Sequence, residues 1–246
     1  MGWFARTPVS SWMTRAFVRA YGVDLSEAEG DLADYGDLEA LFTRTLKPGA
    51  RPIDPAPDSL VSPVDGTVAA LGPTTDGCIE DAPGRSLDLR ALLGKDGEAW
   101  EVAVLYLSPK DYHRVHVPRE GTAVDWSYLP GTLWPVFPAA VRRVDGLFSR
   151  NERLSVGLET DRGRIEVVLV GAFGVGRIEV AVTDLLSNDG ADAAVGEVKL
   201  PLDRGAWLGT FHLGSTVVLA LAPGTVRWEV AVGEPVRMGR RLGGLC

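Results

Sequence analysis

The chain has 246 residues, 46% of them hydrophobic, enough for one sizeable core or a core with a small appendage. A formal net charge of −8 and a pI near 5.0 argue against a general nucleic-acid binder, which needs a basic footprint. The two cysteines, Cys78 and Cys246, have no metal-type spacing around them, which argues against a disulfide scaffold or a zinc site and for a reducing cytosol.

The segment Met1-Gly2-Trp3-Phe4-Ala5-Arg6 lacks the apolar block of a signal peptide, and Arg6 breaks the myristoylation pattern. No stretch approaches the roughly 20 apolar residues of a bilayer span. The expectation is therefore a cytosolic chain that reaches a membrane only by docking. Residues 11–22 read as an amphipathic helix capped by Ser11, with Trp12, Met13, Ala16, Phe17, Ala20 and Tyr21 on one face. Arg6, Arg15 and Arg19 are the only charges before Asp24, a local excess suited to anionic headgroups. An ordinary helix packing its aromatic face on the core fits the same pattern equally well. A short helix is expected from Asp37, its cap, to Arg44, ending before Lys47-Pro48-Gly49-Ala50-Arg51-Pro52.

From about residue 58 the pattern turns to strands. Leu60–Leu71, Trp100–Leu107, Ile165–Val170, Ile178–Val182, Val217–Leu221 and Val226–Val232 are rich in Val, Ile and Leu, with Gly or Pro between them. The predicted class is mostly β (α+β): a single sandwich- or barrel-like domain over 58–246, with an N-terminal helical appendage over 1–57.

Three segments carry chemistry. Two of the three histidines, His113 and His116, lie in Asp111-Tyr112-His113-Arg114-Val115-His116, just after an apolar strand; His212 is the third. Histidine moves protons near neutral pH, although a surface pair or a metal pair has the same spacing. Asp65 stands before Gly66 in an apolar stretch, a usual tight turn unless the acid orients a histidine. Gly214-Ser215-Thr216 interrupts an apolar run; alone it reads as a turn or bulge.

Together with their neighbours these segments are specific. The chain resembles the pyruvoyl-dependent phosphatidylserine decarboxylases, in the branch with Leu-Gly-Ser-Thr. The matching pieces occur in the family's order: Phe42-Thr43-Arg44 with Leu46-Lys47-Pro48-Gly49-Ala50-Arg51-Pro52-Ile53, Pro63-Val64-Asp65-Gly66, Asp111 to His116, Asn151-Glu152-Arg153, Val170-Gly171-Ala172 with Val175-Gly176, and Leu213-Gly214-Ser215-Thr216-Val217. Two departures stand out. Trp134-Pro135-Val136-Phe137-Pro138 replaces the family's frequent Phe-Ser-Val-Asn-Pro, and Phe173-Gly174 replaces a more polar pair.

The resemblance implies a charge relay of Asp65, His116 and Ser215, used once to cut the chain between Gly214 and Ser215. The products would be a large chain, 1–214, and a small chain, 215–246, that remain associated. Ser215 would become the covalent pyruvoyl cofactor and form a Schiff base with the amine of phosphatidylserine. His113 would be the proton donor in decarboxylation, and phosphatidylethanolamine the product. No metal is implied, and the partners would be phosphatidylserine and the cytoplasmic face of the membrane, with self-association of the chain left open. Arg114 and Arg153 are candidates for holding the phosphate, or equally for structural ion pairs. Competing readings are a pyruvoyl decarboxylase of a related amino-acid-bearing lipid, a serine hydrolase, and a catalytically silent β-sandwich binding protein.

Overall fold

The computed structural model describes residues 10–95, 99–173, 177–212 and 215–246, with side chains from Trp12 onward. Among the described residues, no helix is long and apolar enough to cross a membrane. The frame is an eight-stranded antiparallel sheet. Its strands run in the spatial order Ala194–Leu202, Gly121–Leu129, Arg153–Thr160, Gly163–Val170, Ser215–Leu221, Glu101–Leu107, Gly66–Pro73 and Pro235–Val236. Two three-stranded sheets accompany it: Ser59–Val61, Arg241–Leu245 and Val226–Trp228 in one, and Ile178–Val180, Trp207–Phe211 and Arg114–His116 in the other. The mostly β expectation holds.

Strand Ser215–Leu221 explains its own lack of alternation. Val217, Leu219 and Leu221 point into one apolar cluster, with Leu105, Leu169, Leu208 and Phe211. Val218 and Ala220 point into a second cluster, with Val104, Val168, Leu92 and Phe148. A strand buried on both faces reads as a continuous apolar run. It is hydrogen-bonded on both edges, Val217 facing Leu105 on one side and Leu169 on the other.

Several boundaries differ from expectation for local reasons. Leu60–Leu71 is two strands in two different sheets, because Pro63 cannot donate to a ladder and the chain turns through Val64-Asp65. Gly66 is needed for close approach: a Cβ there would lie 2.5 Å from the carbonyl oxygen of Tyr106 on the neighbouring strand. Val226–Val232 is a strand only over Val226–Trp228; one further bond, Glu229 N–H to the Leu242 carbonyl, follows before the chain turns at Ala231–Glu234.

The appendage contributes helices α1 (Ser10–Tyr21) and α2 (Leu38–Phe42). Asp37 caps α2, accepting from the Ala40 N–H at 2.8 Å. Phe42 is 1% exposed and holds the appendage on the β domain, its ring 4.7 Å from that of His113. Buried Arg44 adds bonds to the Lys110 and Asp111 carbonyls, both at 3.1 Å. On α1 the packed side is Thr14, Phe17 and Val18, whereas Trp12 (71%), Met13 (40%) and Tyr21 (51%) stay exposed. The expected apolar face is therefore divided, with only Phe17 of the aromatics turned inward.

Candidate active site

Ser215 opens the central strand, paired with Leu107, and its side chain is fully buried. Among the described residues its hydroxyl has no hydrogen-bond partner. It shares that condition with the hydroxyls of Ser59, Ser127, Ser155 and Thr216; what sets Ser215 apart is its place at a cavity. Ser215 lies at a cavity of about 200 Å³ walled by Phe17, Tyr21, Phe42, Pro135, Phe137 and Phe173. Both departures from the family pattern thus line this cavity, and they make it more apolar. Leu213 and Gly214, the expected cleavage position, and Val175-Gly176 lie outside the described residues.

His113 is fully buried, and its Nδ1 meets the Asp111 carbonyl at 2.8 Å. A carbonyl only accepts, so Nδ1 carries the proton and Nε2 presents a bare lone pair, without a partner among the described residues. Burial pushes its pKa down to about 3, the Asp111 bond opposing in part, so the ring is neutral.

His116 has the same tautomer for a similar reason. Its Nδ1 donates to the Gly205 carbonyl at 2.9 Å, and its Nε2 accepts from the Tyr112 hydroxyl at 3.1 Å. Gly205 adopts φ +80°, and a Cβ there would also meet Ile53 at 2.6 Å, so glycine is required at the position whose carbonyl orients His116. Burial, the largest influence, lowers the pKa of His116; the Gly205 bond and the charge of Asp65 oppose it. Burial pushes Tyr112 up to about 12, which keeps its hydroxyl protonated.

The expected contact between Asp65 and His116 is not made. The Asp65 carboxylate takes the Arg51 guanidinium at 2.5 and 2.8 Å and the Met238 N–H at 2.8 Å. These donors saturate it, and the Gly205 carbonyl fills the role of holding the tautomer. Asp65 acts on His116 through charge, without a hydrogen bond.

Arg153 is committed to main-chain carbonyls and makes no ion pair among the described residues. It is 7% exposed, and its guanidinium is wrapped by the carbonyls of Leu92, Ser149, Asn151 and Ala91. Arg114 donates to the Thr43 carbonyl at 3.0 Å. Asn151 frames the cavity, exchanging bonds with the Trp134 main chain at 2.8 and 2.9 Å and donating to the Gly171 carbonyl at 2.9 Å. A larger open groove of about 840 Å³ runs along Ala50–Pro55 and Pro235–Arg241 without reaching Ser215. Its arginines are already paired: Arg51 and Arg237 with Glu27, Arg240 with Glu234, and Arg241 with Asp58 and Glu229.

Ser215 lies at the apolar cavity, whereas His113 and His116 are bonded elsewhere, to the Asp111 carbonyl and to the Gly205 carbonyl and Tyr112 hydroxyl. No hydrogen bond joins either ring to the Ser215 hydroxyl among the described residues. A model of the phosphatidylserine decarboxylase family matches residues 38–244. The chain belongs to that family. Similar members include the phosphatidylserine decarboxylase proenzyme of Anaeromyxobacter, 43% identical over 98% of this chain and 90% of that protein. That of Myxococcus xanthus is 40% identical over 96% and 88%, and one from Pseudomonas fluorescens is 41% identical over 94% and 85%. These relatives are named as decarboxylases made as proenzymes.

In sequence Tyr112 stands within the Asp111–His116 motif with no role of its own, and nothing there points to the Gly205 carbonyl. A main-chain oxygen leaves no signature in sequence. The positive-φ glycine was the only trace of it.

Proposed function

We propose that this chain is a precursor that cuts itself between Gly214 and Ser215, converts Ser215 to a pyruvoyl group, and decarboxylates phosphatidylserine to phosphatidylethanolamine. The observation that carries the reading is the buried, partnerless Ser215 hydroxyl at the apolar cavity. Such a hydroxyl is desolvated and free to attack its neighbouring carbonyl. His116 takes the hydroxyl proton at Nε2 once Tyr112 leaves that nitrogen, and the nearby charge of Asp65 stabilises the imidazolium that results. The Ser215 oxygen bonds to the Gly214 carbonyl carbon, the peptide C–N bond breaks, and the proton passes to the freed amine. Loss of the Cα proton of residue 215 with cleavage of its Cβ–O bond then releases Gly214 as a carboxylate. One water completes the conversion and ammonia leaves.

The residues present fit the prosthetic group, since the position that becomes the pyruvoyl is desolvated and opens on the cavity. When formed, the pyruvoyl carbonyl supplies the electron sink that decarboxylation needs. His113, whose Nε2 is bare, is the proton donor to the carbon that loses CO₂; the negative charge of the bound substrate offsets the burial that keeps the ring neutral without it. The apolar walls hold acyl chains. The small chain stays in place because strand Ser215–Leu221 is laddered on both edges and Arg241–Leu245 pairs with Ser59–Val61.

The same reading places the enzyme peripherally on the cytoplasmic face of the membrane. Helix α1 walls the cavity with Phe17 and Tyr21 and leaves Trp12, Met13, Tyr21, Arg15 and Arg19 exposed. Apolar area beside positive charge is what an interfacial helix presents to lipid.

The test is intact mass after synthesis. Wild type yields two chains, whereas Ser215→Ala and His116→Ala stay at full length; wild type that remains one chain after prolonged incubation rejects the reading.

A further inference from the structure

His212 stands two residues before the Gly214–Ser215 bond, at the end of strand Trp207–Phe211. Its main-chain N–H donates to the Arg177 carbonyl at 3.1 Å. Its Nδ1 meets Oε1 of Glu39 at 2.9 Å, and Arg177 Nη1 lies 3.8 Å from the same oxygen. The side chain is 11% exposed, and its Nε2 is buried without a partner among the described residues. Glu39 belongs to the first turn of α2, whose own place is fixed by the Asp37 cap and by buried Leu41 and Phe42. On the other side of the bond, Ser215 is locked into the central sheet opposite Leu107, and Thr216 is paired with both Tyr106 and Val170.

We propose that Glu39 and His212 form a clamp that positions the Gly214–Ser215 peptide for self-cleavage. This rests on the reading that the chain cuts itself there. With the clamp closed, only Leu213 and Gly214 span the distance between two fixed points. One is His212, tied to the appendage; the other is Ser215, tied to the sheet. An attack by a side chain on its own neighbouring carbonyl succeeds only in a narrow range of backbone geometry. A misplacement of about 1 Å costs on the order of 10²-fold in rate. The clamp supplies part of that geometry, and it gives the appendage a function beyond walling the cavity. His212 is a positioning residue: it acts through the main chain of the peptide to be cut. Glu39 accepts from an Nδ1–H, so any donor of similar reach at 212 can close the same contact.

The experiment follows cell-free synthesis of full-length precursor and the rate at which it becomes two chains. His212→Ala and Glu39→Ala are expected to slow conversion about 10- to 100-fold. The double variant should be no slower than the slower single variant, since both remove one contact. His212→Lys, which restores a donor to Glu39, should return the rate to within a few-fold of wild type. Neutral hydroxylamine, which captures the ester formed by Ser215, places the effect: the clamp variants should slow ester formation and leave its later breakdown unchanged. Should His212→Ala fail to fold, Glu39→Ala together with the lysine variant reads the same contact. Wild type that never cleaves overturns the clamp along with the cleavage reading. A wild type that cleaves while His212→Ala or Glu39→Ala keeps its rate within twofold overturns the clamp alone. So does a His212→Lys variant that is folded yet as slow as alanine, since the imidazole itself would then be what matters.

Discussion

The Tyr112 hydroxyl donates to Nε2 of His116 at 3.1 Å, with the two rings 5.7 Å apart, so the nitrogen expected to act as a base is already occupied. The neighbouring histidine, His113, has the opposite condition: its Nε2 is bare and its Nδ1–H is fixed by the Asp111 carbonyl. Two histidines three residues apart thus share a tautomer and differ in which lone pair is available.

Removing the Tyr112 hydroxyl frees His116. A donor on Nε2 favours the neutral ring, so Tyr112→Phe should raise the pKa of His116. A net hydrogen bond of about 1 kcal/mol corresponds to roughly 0.7 pH unit. The low-pH limb of the cleavage rate should therefore move upward by about that amount, with the rate on the plateau no lower than wild type. A time course of two-chain product between pH 5 and 8 measures both. A plateau below one-tenth of wild type would show instead that the hydroxyl relays the proton.

His113 makes a separable prediction. Its pKa is pushed down to about 3 by burial, against 6.5 ordinarily. Between those values the unfolded chain binds the extra proton, so stability rises with pH across the window and is lost as pH falls from about 6.5 toward 3. The slope approaches about 1.4 kcal/mol per pH unit inside the window. Replacing His113 with Gln should flatten that slope by nearly one proton in denaturant titrations between pH 4 and 6. The variant should still cleave at least partly, while decarboxylation falls about 10²- to 10⁴-fold. Full decarboxylation by a cleaved His113→Gln protein would remove His113 from the reaction.

Docking by α1 is tested without disturbing the cavity wall. Trp12→Ser with Met13→Ser removes exposed apolar area and leaves Phe17 and Tyr21 in place. Binding to anionic vesicles should fall at least about 10-fold, since burying such a side chain contributes about 1.5–3 kcal/mol. The remaining attraction through Arg15 and Arg19 should weaken further with salt. Self-cleavage and turnover of a monomeric short-chain substrate should be unchanged. Equal vesicle binding by the two proteins would show that this exposed face does not seat the enzyme.

The sequence by itself determined the family, the β class, the α2 cap at Asp37 and a strand over Val217–Leu221, whose start at Ser215 and burial on both faces came from the fold. Each is written in local residue order: ordered motifs, a capping acid, an apolar run without alternation. It presented Leu60–Leu71 as one strand and so missed the break at Pro63, because an apolar stretch does not say which sheet each half will join. The contacts within the site were decided by tertiary structure. Asp65 meets Arg51, 14 residues away, and Met238, 173 residues away, before it can meet His116. Glu39 finds His212 across another 173 residues. A carboxylate is taken by whichever donors the fold brings to it, and a main-chain carbonyl such as that of Gly205 can replace it at a histidine. Residue type specifies what a side chain is able to bind, while only the folded chain fixes which partner arrives within 3 Å.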